Sequence, residues 1–136
     1  MQTKSYKTPD GRSVTIKGEW DEDIEAFDAK GEKIGALSMY TKEADGPYFK
    51  QYVWFAHAQM KPEWHKQGVA TACFCFAREE IYGTEMTFHA PSILDRTEIH
   101  GNSLSTEGAA LVGKLRRLGY IIEDPSAAPS VERLFP

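Results

Sequence analysis

The run Pro62, Glu63, Trp64, His65, Lys66, Gln67, Gly68, Val69, Ala70, Thr71 holds the densest set of groups that could do chemistry. Gly68 and the small Ala70 let backbone approach a ligand closely, at the point where an extended run gives way to a helical pattern. The first amides of a helix lack partners within it. Together with the helix dipole they form a site for an anion, a pyrophosphate above all. Lys66 adds a point charge. The same small residues would serve a turn needed only to pack strand against helix, and both readings stand on this segment alone.

Histidine titrates near neutrality, and the chain has four. His57 lies among Phe55, Ala56 and Ala58, a setting that predicts a satisfied core histidine. His89 ends a short β-type run, and His100 falls in an irregular segment, residues 91–102, with Asp95 and Glu98. His89 and His100 are the candidates for moving a proton during catalysis. Glu63 reads as exposed, and Trp64 as a ring that could cover a cofactor or an acceptor. Cys73 and Cys75 stand two apart on a helical pattern and cannot share a face. Neither redox pairing nor a metal site is expected of them. Lys114, Arg116 and Arg117 fall in the last turn of a second helical pattern, where cations complement the dipole.

These residues need elements to position them. Val14 and Ile16 alternate with polar residues over 13–19, and residues 24–28 and 33–40 flank Ala29, Lys30, Gly31 and Glu32 as a hairpin. Residues 51–60 are aromatic and β-branched enough to cross the centre of a sheet. From Val69 the apolar residues Cys73, Phe76, Ala77 and Ile81 recur at helical spacing until Gly83. Residues 85–90 give a further strand, with Met86 and Phe88 on one face. Leu104, Gly108, Leu111, Leu115 and Leu118 define a second helix, with Ser103 or Ser105 as N-cap and Gly119 past its end. Residues 120–123 and 131–135 would complete six to seven strands. The expected class is α/β or α+β, a mixed sheet with helices packed on it.

The 136 residues suit one domain, with a polar N-terminal segment over 1–12 and a Pro-rich tail over 124–136. The net charge of −4 is dispersed along the chain, which disfavours broad attraction to nucleic acid or anionic membrane. No apolar run approaches the roughly 20 residues of a membrane helix. Two cysteines and no visible secretory signal lead to the expectation of a cytoplasmic protein. Tyr48, Phe49, Tyr52, Trp54 and Phe55 read as sheet cover rather than a base-stacking platform, because basic residues are sparse among them. A homodimer is admitted by the chain and not required.

The order of strands, the pattern Pro62-x-x-His65-x-x-Gly68-x-Ala70-Thr71 and the later Leu111-x-x-x-Leu115-x-x-Leu118-Gly119-Tyr120 resemble the GNAT superfamily of acyl-CoA-dependent N-acyltransferases, over residues 25–123. The resemblance implies acetyl-CoA as acyl donor, a primary amine as acceptor, and no metal. It implies that Met60 offers its backbone to the acetyl carbonyl, and that His65, Lys66, Gln67, Gly68, Val69, Ala70 and Thr71 cradle the phosphates. His65 replaces the usual Gln or Arg. Gly108 and Leu115 replace an Asn and the Tyr that protonates the departing thiolate. The two helices usual between the family's first and second strands are missing. These departures motivate a second reading, a catalytically inactive binding or regulatory module of the same fold.

Overall fold

The computed structural model describes residues 1–43, 51–90 and 106–123. Among them, seven strands form one sheet in chain order: β1 (Gln2–Lys7), β2 (Ser13–Gly18), β3 (Ile24–Phe27), β4 (Lys33–Glu43), β5 (Gln51–Met60), β6 (Phe88–Ala90) and β7 (Ile122–Glu123). β1 to β5 form an antiparallel meander, and β6 and β7 join in parallel. A parallel neighbour requires a crossover. Helix α1 (Val69–Phe76), continued by a π-helical stretch over Ala77–Tyr82, supplies it between β5 and β6. Helix α2 (Thr106–Arg117) falls between β6 and β7. The class is mixed α and β, as the periodicities predict. Among the described residues, no helix is long and apolar enough to cross a membrane.

Alternation along the strands sends Val14, Ile16, Ile24, Ala26, Leu37, Met39, Val53 and Phe55 to one face, where all are buried. α1 lies on that face with Val69, Cys73 and Phe76, and α2 adds Leu111, Val112 and Leu115. Phe74 is buried as well, off the predicted stripe, because its ring packs beside Phe88 and Tyr120. Past the end of α2, Gly119 takes φ 80°, and Tyr120 donates to the Leu115 carbonyl at 2.9 Å while Gly119 donates to Arg116 at 3.0 Å. Those bonds close the helix in a Schellman arrangement.

Three expectations need correction. The polar segment 1–12 contains β1, paired with β2 from Gln2↔Gly18 to Lys7↔Ser13. Only Tyr6 in this edge strand is even half-buried, so no apolar alternation marks it. β6 starts at Phe88 rather than at residue 85, because Met86 donates to the Gly83 carbonyl in a preceding turn. His57 is exposed rather than a core residue. Ser38 pairs with His57 but Met39 pairs with Phe55, which leaves Ala56 as the extra residue of a bulge. The alternation shifts by one there, and His57 turns with Trp54 to the face away from α1. The segment 91–102, His100, both N-cap candidates of α2 and the strand expected over 131–135 lie outside the described residues.

Candidate functional site

β5 ends at Met60, and the chain turns through one 3-10 turn, Pro62–Trp64, before α1. Trp64 is buried, with the Arg12 guanidinium 3.8 Å from its ring centroid. The same guanidinium donates to the Glu63 carbonyl at 3.0 Å. Asp10 holds the guanidinium at 2.8 Å, and hydrogen bonds from Arg12 first and Thr8 second pull the Asp10 carboxyl down to about 2. Lys66 and Gly68 are left-handed, with φ of 63° and 76°. The Tyr6 hydroxyl donates to the Gln67 carbonyl at 2.7 Å, and a Cβ at Gly68 would strike that hydroxyl. The β1–β2 hairpin therefore anchors the loop at two points.

Gly68 is the N-cap of α1, and having no side chain it cannot cap the helix. The amides of its first turn thus remain donors in search of acceptors. They border a cleft of about 410 Å³ with β5 on one side, at Ala58 and Met60, and α2 on the other, at Ala110 and Lys114. Lys114 does more than complement its own helix end. Its Nζ donates to the Thr71 hydroxyl at 3.3 Å, which sets a cation over the first turn of α1. Lys66 lines the cleft as well, so two ammonium groups and a helix N-terminus converge on one opening.

At the inner end of the cleft, the Met60 carbonyl lies 3.0 Å from His65 Nε2. Lys61 donates to the Ile34 carbonyl at 2.8 Å. In antiparallel pairing successive residues alternate direction, so Met60 turns its own polar groups toward the other edge of β5. Among the described residues, that edge adjoins β6 over Val53↔Phe88 and Trp54↔His89. Ala90 pairs with Glu123 of β7.

The cleft gathers Met60, His65, Lys66, Gly68, Val69, Ala70 and Thr71. Val69 has its side chain in the core, so only its backbone is available to a ligand. Gln67 is turned inward, its carbonyl held by Tyr6 and its Oε1 buried without a hydrogen-bond partner. His89 is on the opposite sheet face, its ring 4.4 Å from that of Tyr52, and it does not line the cleft. Tyr6, Arg12 and Lys114 are site residues that sequence reasoning missed, since each acts over more than 40 positions. Among the described residues, no three His, Cys, Asp or Glu side chains gather as a metal-binding group.

No family model, curated protein or solved structure matches the chain. What the cleft can do therefore follows from its geometry and from the motif in the sequence.

Proposed function

We propose that the cleft binds acetyl-CoA and that the protein is an N-acetyltransferase of the GNAT kind, passing the acetyl group to a primary amine. One observation carries this reading: the first turn of α1, Lys66 and Lys114 surround one opening that Met60, at the end of β5, also lines. Backbone amides and two cations suit a pyrophosphate. Bound there, acetyl-CoA would supply an acyl group already activated toward an amine.

Within this reading the chain's own groups hold and orient. Lys66, Lys114 and the amides of Gly68, Val69, Ala70 and Thr71 hold the phosphates. The His65 ring braces the end of β5 through the Met60 carbonyl. The Met60 backbone, at the edge of β5 turned away from β4, is the group this reading assigns to polarise a carbonyl. Leu115, at the place of the family's tyrosine, is fully buried, so the proton for a departing thiolate comes from water. That same burial favours the second reading, a module that binds CoA without turnover.

Thermal unfolding with acetyl-CoA, CoA and ATP tests the assignment. At about 100 times the dissociation constant, a ligand adds about 2.7 kcal/mol, which raises the midpoint by several degrees. A rise with acetyl-CoA and CoA but not ATP is expected. An unmoved midpoint at millimolar acetyl-CoA would sink the assignment, and thiol release with an amine panel separates enzyme from module.

A further inference from the structure

Met60 is a wall between two openings. The cleft reaches it from the helix side, and a groove of about 410 Å³ on the opposite face of the sheet touches it as well. The groove runs over β4 and β5, with Asp23 just before β3 at its side, and the strand register lays out its floor. Ser38 pairs with His57, and Ala36 pairs with Gln59 on one side and Glu25 on the other. Asp23 stands beside the Ser38 row, because Ile24 pairs with Leu37. Gly35 pairs with Met60, and a Cβ there would strike the Met60 side chain on the helix side of the sheet.

We propose that this groove receives the second substrate, a small polar amine, and that His57 takes its proton. The inference rests on the reading that a thioester reaches Met60 from the helix side. An amine meeting the same backbone then needs its own approach, and the groove shares Met60 with the cleft. The lining selects the class of amine. Asp23, Ser38, His57 and Gln59 offer a carboxylate, a hydroxyl, an imidazole and an amide, and Lys61 places an ammonium at the Met60 end. Lys33 is already held by Glu25 at 2.8 Å. Among the described residues, His57 carries the only aromatic ring that lines the groove. An amine of amino-acid or amino-sugar size, bearing hydroxyl or carboxylate groups, satisfies this lining, whereas an aryl or long alkyl amine leaves it unpaired.

In the transfer, the ammonium form of the amine gives one proton to neutral His57, directly or through one water. The freed lone pair forms the C–N bond to the acyl carbon. The C–S bond breaks with its electrons on sulfur, the second nitrogen proton passes through water to that sulfur, and His57 returns its proton to solvent. The charged groups sharing the groove with His57 are Asp23, Lys33 with its partner Glu25, and Lys61.

The test measures thiol release from acetyl-CoA with serine, ethanolamine and glucosamine against phenethylamine and hexylamine, alongside calorimetric titration with CoA. The polar amines should turn over in preference to the other two. His57→Gln, an exposed position, should lower kcat about 100-fold or more, with the CoA dissociation constant unchanged. Ser38→Trp should fill the groove and raise the amine KM by at least about tenfold at unchanged CoA affinity. CoA binding with wild-type amine kinetics in both variants overturns the groove alone, as does preference for the aryl or alkyl amine or the absence of any turnover. A wild-type protein that does not bind CoA overturns the underlying reading too.

Discussion

At Gly68 two demands meet in one residue. The positive φ of 76° is a conformation that costs an L side chain about 1–2 kcal/mol, and the Tyr6 hydroxyl occupies the space a Cβ would need. Gly68→Ala should therefore lower stability by at least that amount, read from denaturant midpoints at constant m-value. Gly68→Glu adds to this a carboxylate beside the helix N-terminus and Lys66, where the proposed ligand brings its own negative charge. CoA titration of Gly68→Glu should show binding lost altogether. Undiminished affinity in a folded Gly68→Glu protein would remove residue 68 from the site. Lys114 illustrates a different limit at the same scale. Its place in the last turn of α2 matches the helix dipole, and nothing in the local sequence shows that its Nζ reaches Thr71 at 3.3 Å.

Among the elements, the β1–β2 hairpin acts on the site without lining it. Tyr6 on β1 donates to the Gln67 carbonyl, and Arg12 before β2 covers Trp64 and donates to Glu63, so the loop is held before its left-handed residues and between them. Tyr6→Phe removes one bond at modest cost to stability, about 0.5–1.5 kcal/mol, and leaves the ring in place. It should weaken CoA binding more than it lowers the thermal midpoint, because loop order sets the direction of the α1 amides. Equal CoA affinity in Tyr6→Phe and wild type would reduce the hairpin to a structural edge. This element is also where sequence reading has the least purchase. Gln2, Thr3, Lys4 and Ser5 are exposed on an edge strand, and alternation of polar with polar leaves no trace in composition. The ends of α1 and α2 are legible because Gly68, Gly83 and Gly119 interrupt an apolar period where positive φ is needed. The face of His57 is not. Val53, Phe55 and His57 alternate as if toward one core, and the bulge at Ala56 reverses the last of them. A bulge is settled by pairing with β4, which no local pattern encodes.

Over the whole molecule the sheet separates two environments. α1 and α2 pack on one face, and β4 and β5 leave a groove on the other, with Met60 touching both sides. The cleft and the global core share α1: its first turn borders the opening, and Cys73, one turn further along, is fully buried. Burial pushes the Cys73 thiol up to about 12, so thiolate is scarce at neutral pH and alkylation waits for α1 to leave the sheet. Cys75 is half-buried and its thiol is raised as well, by desolvation first and by Glu79 second, but it reacts without that opening. The pair offers a test of linkage inside one chain. A ligand that binds the closed protein divides the population of the open form by 1 + [L]/Kd, so at about 100 times Kd of acetyl-CoA the alkylation of Cys73 should slow about 100-fold. Alkylation of Cys75 should change far less. Mass spectrometry of iodoacetamide-treated protein separates the two sites. If Cys73 reacts at the same rate with and without saturating acetyl-CoA, binding is not coupled to α1, and the first turn of that helix is not where the ligand is held.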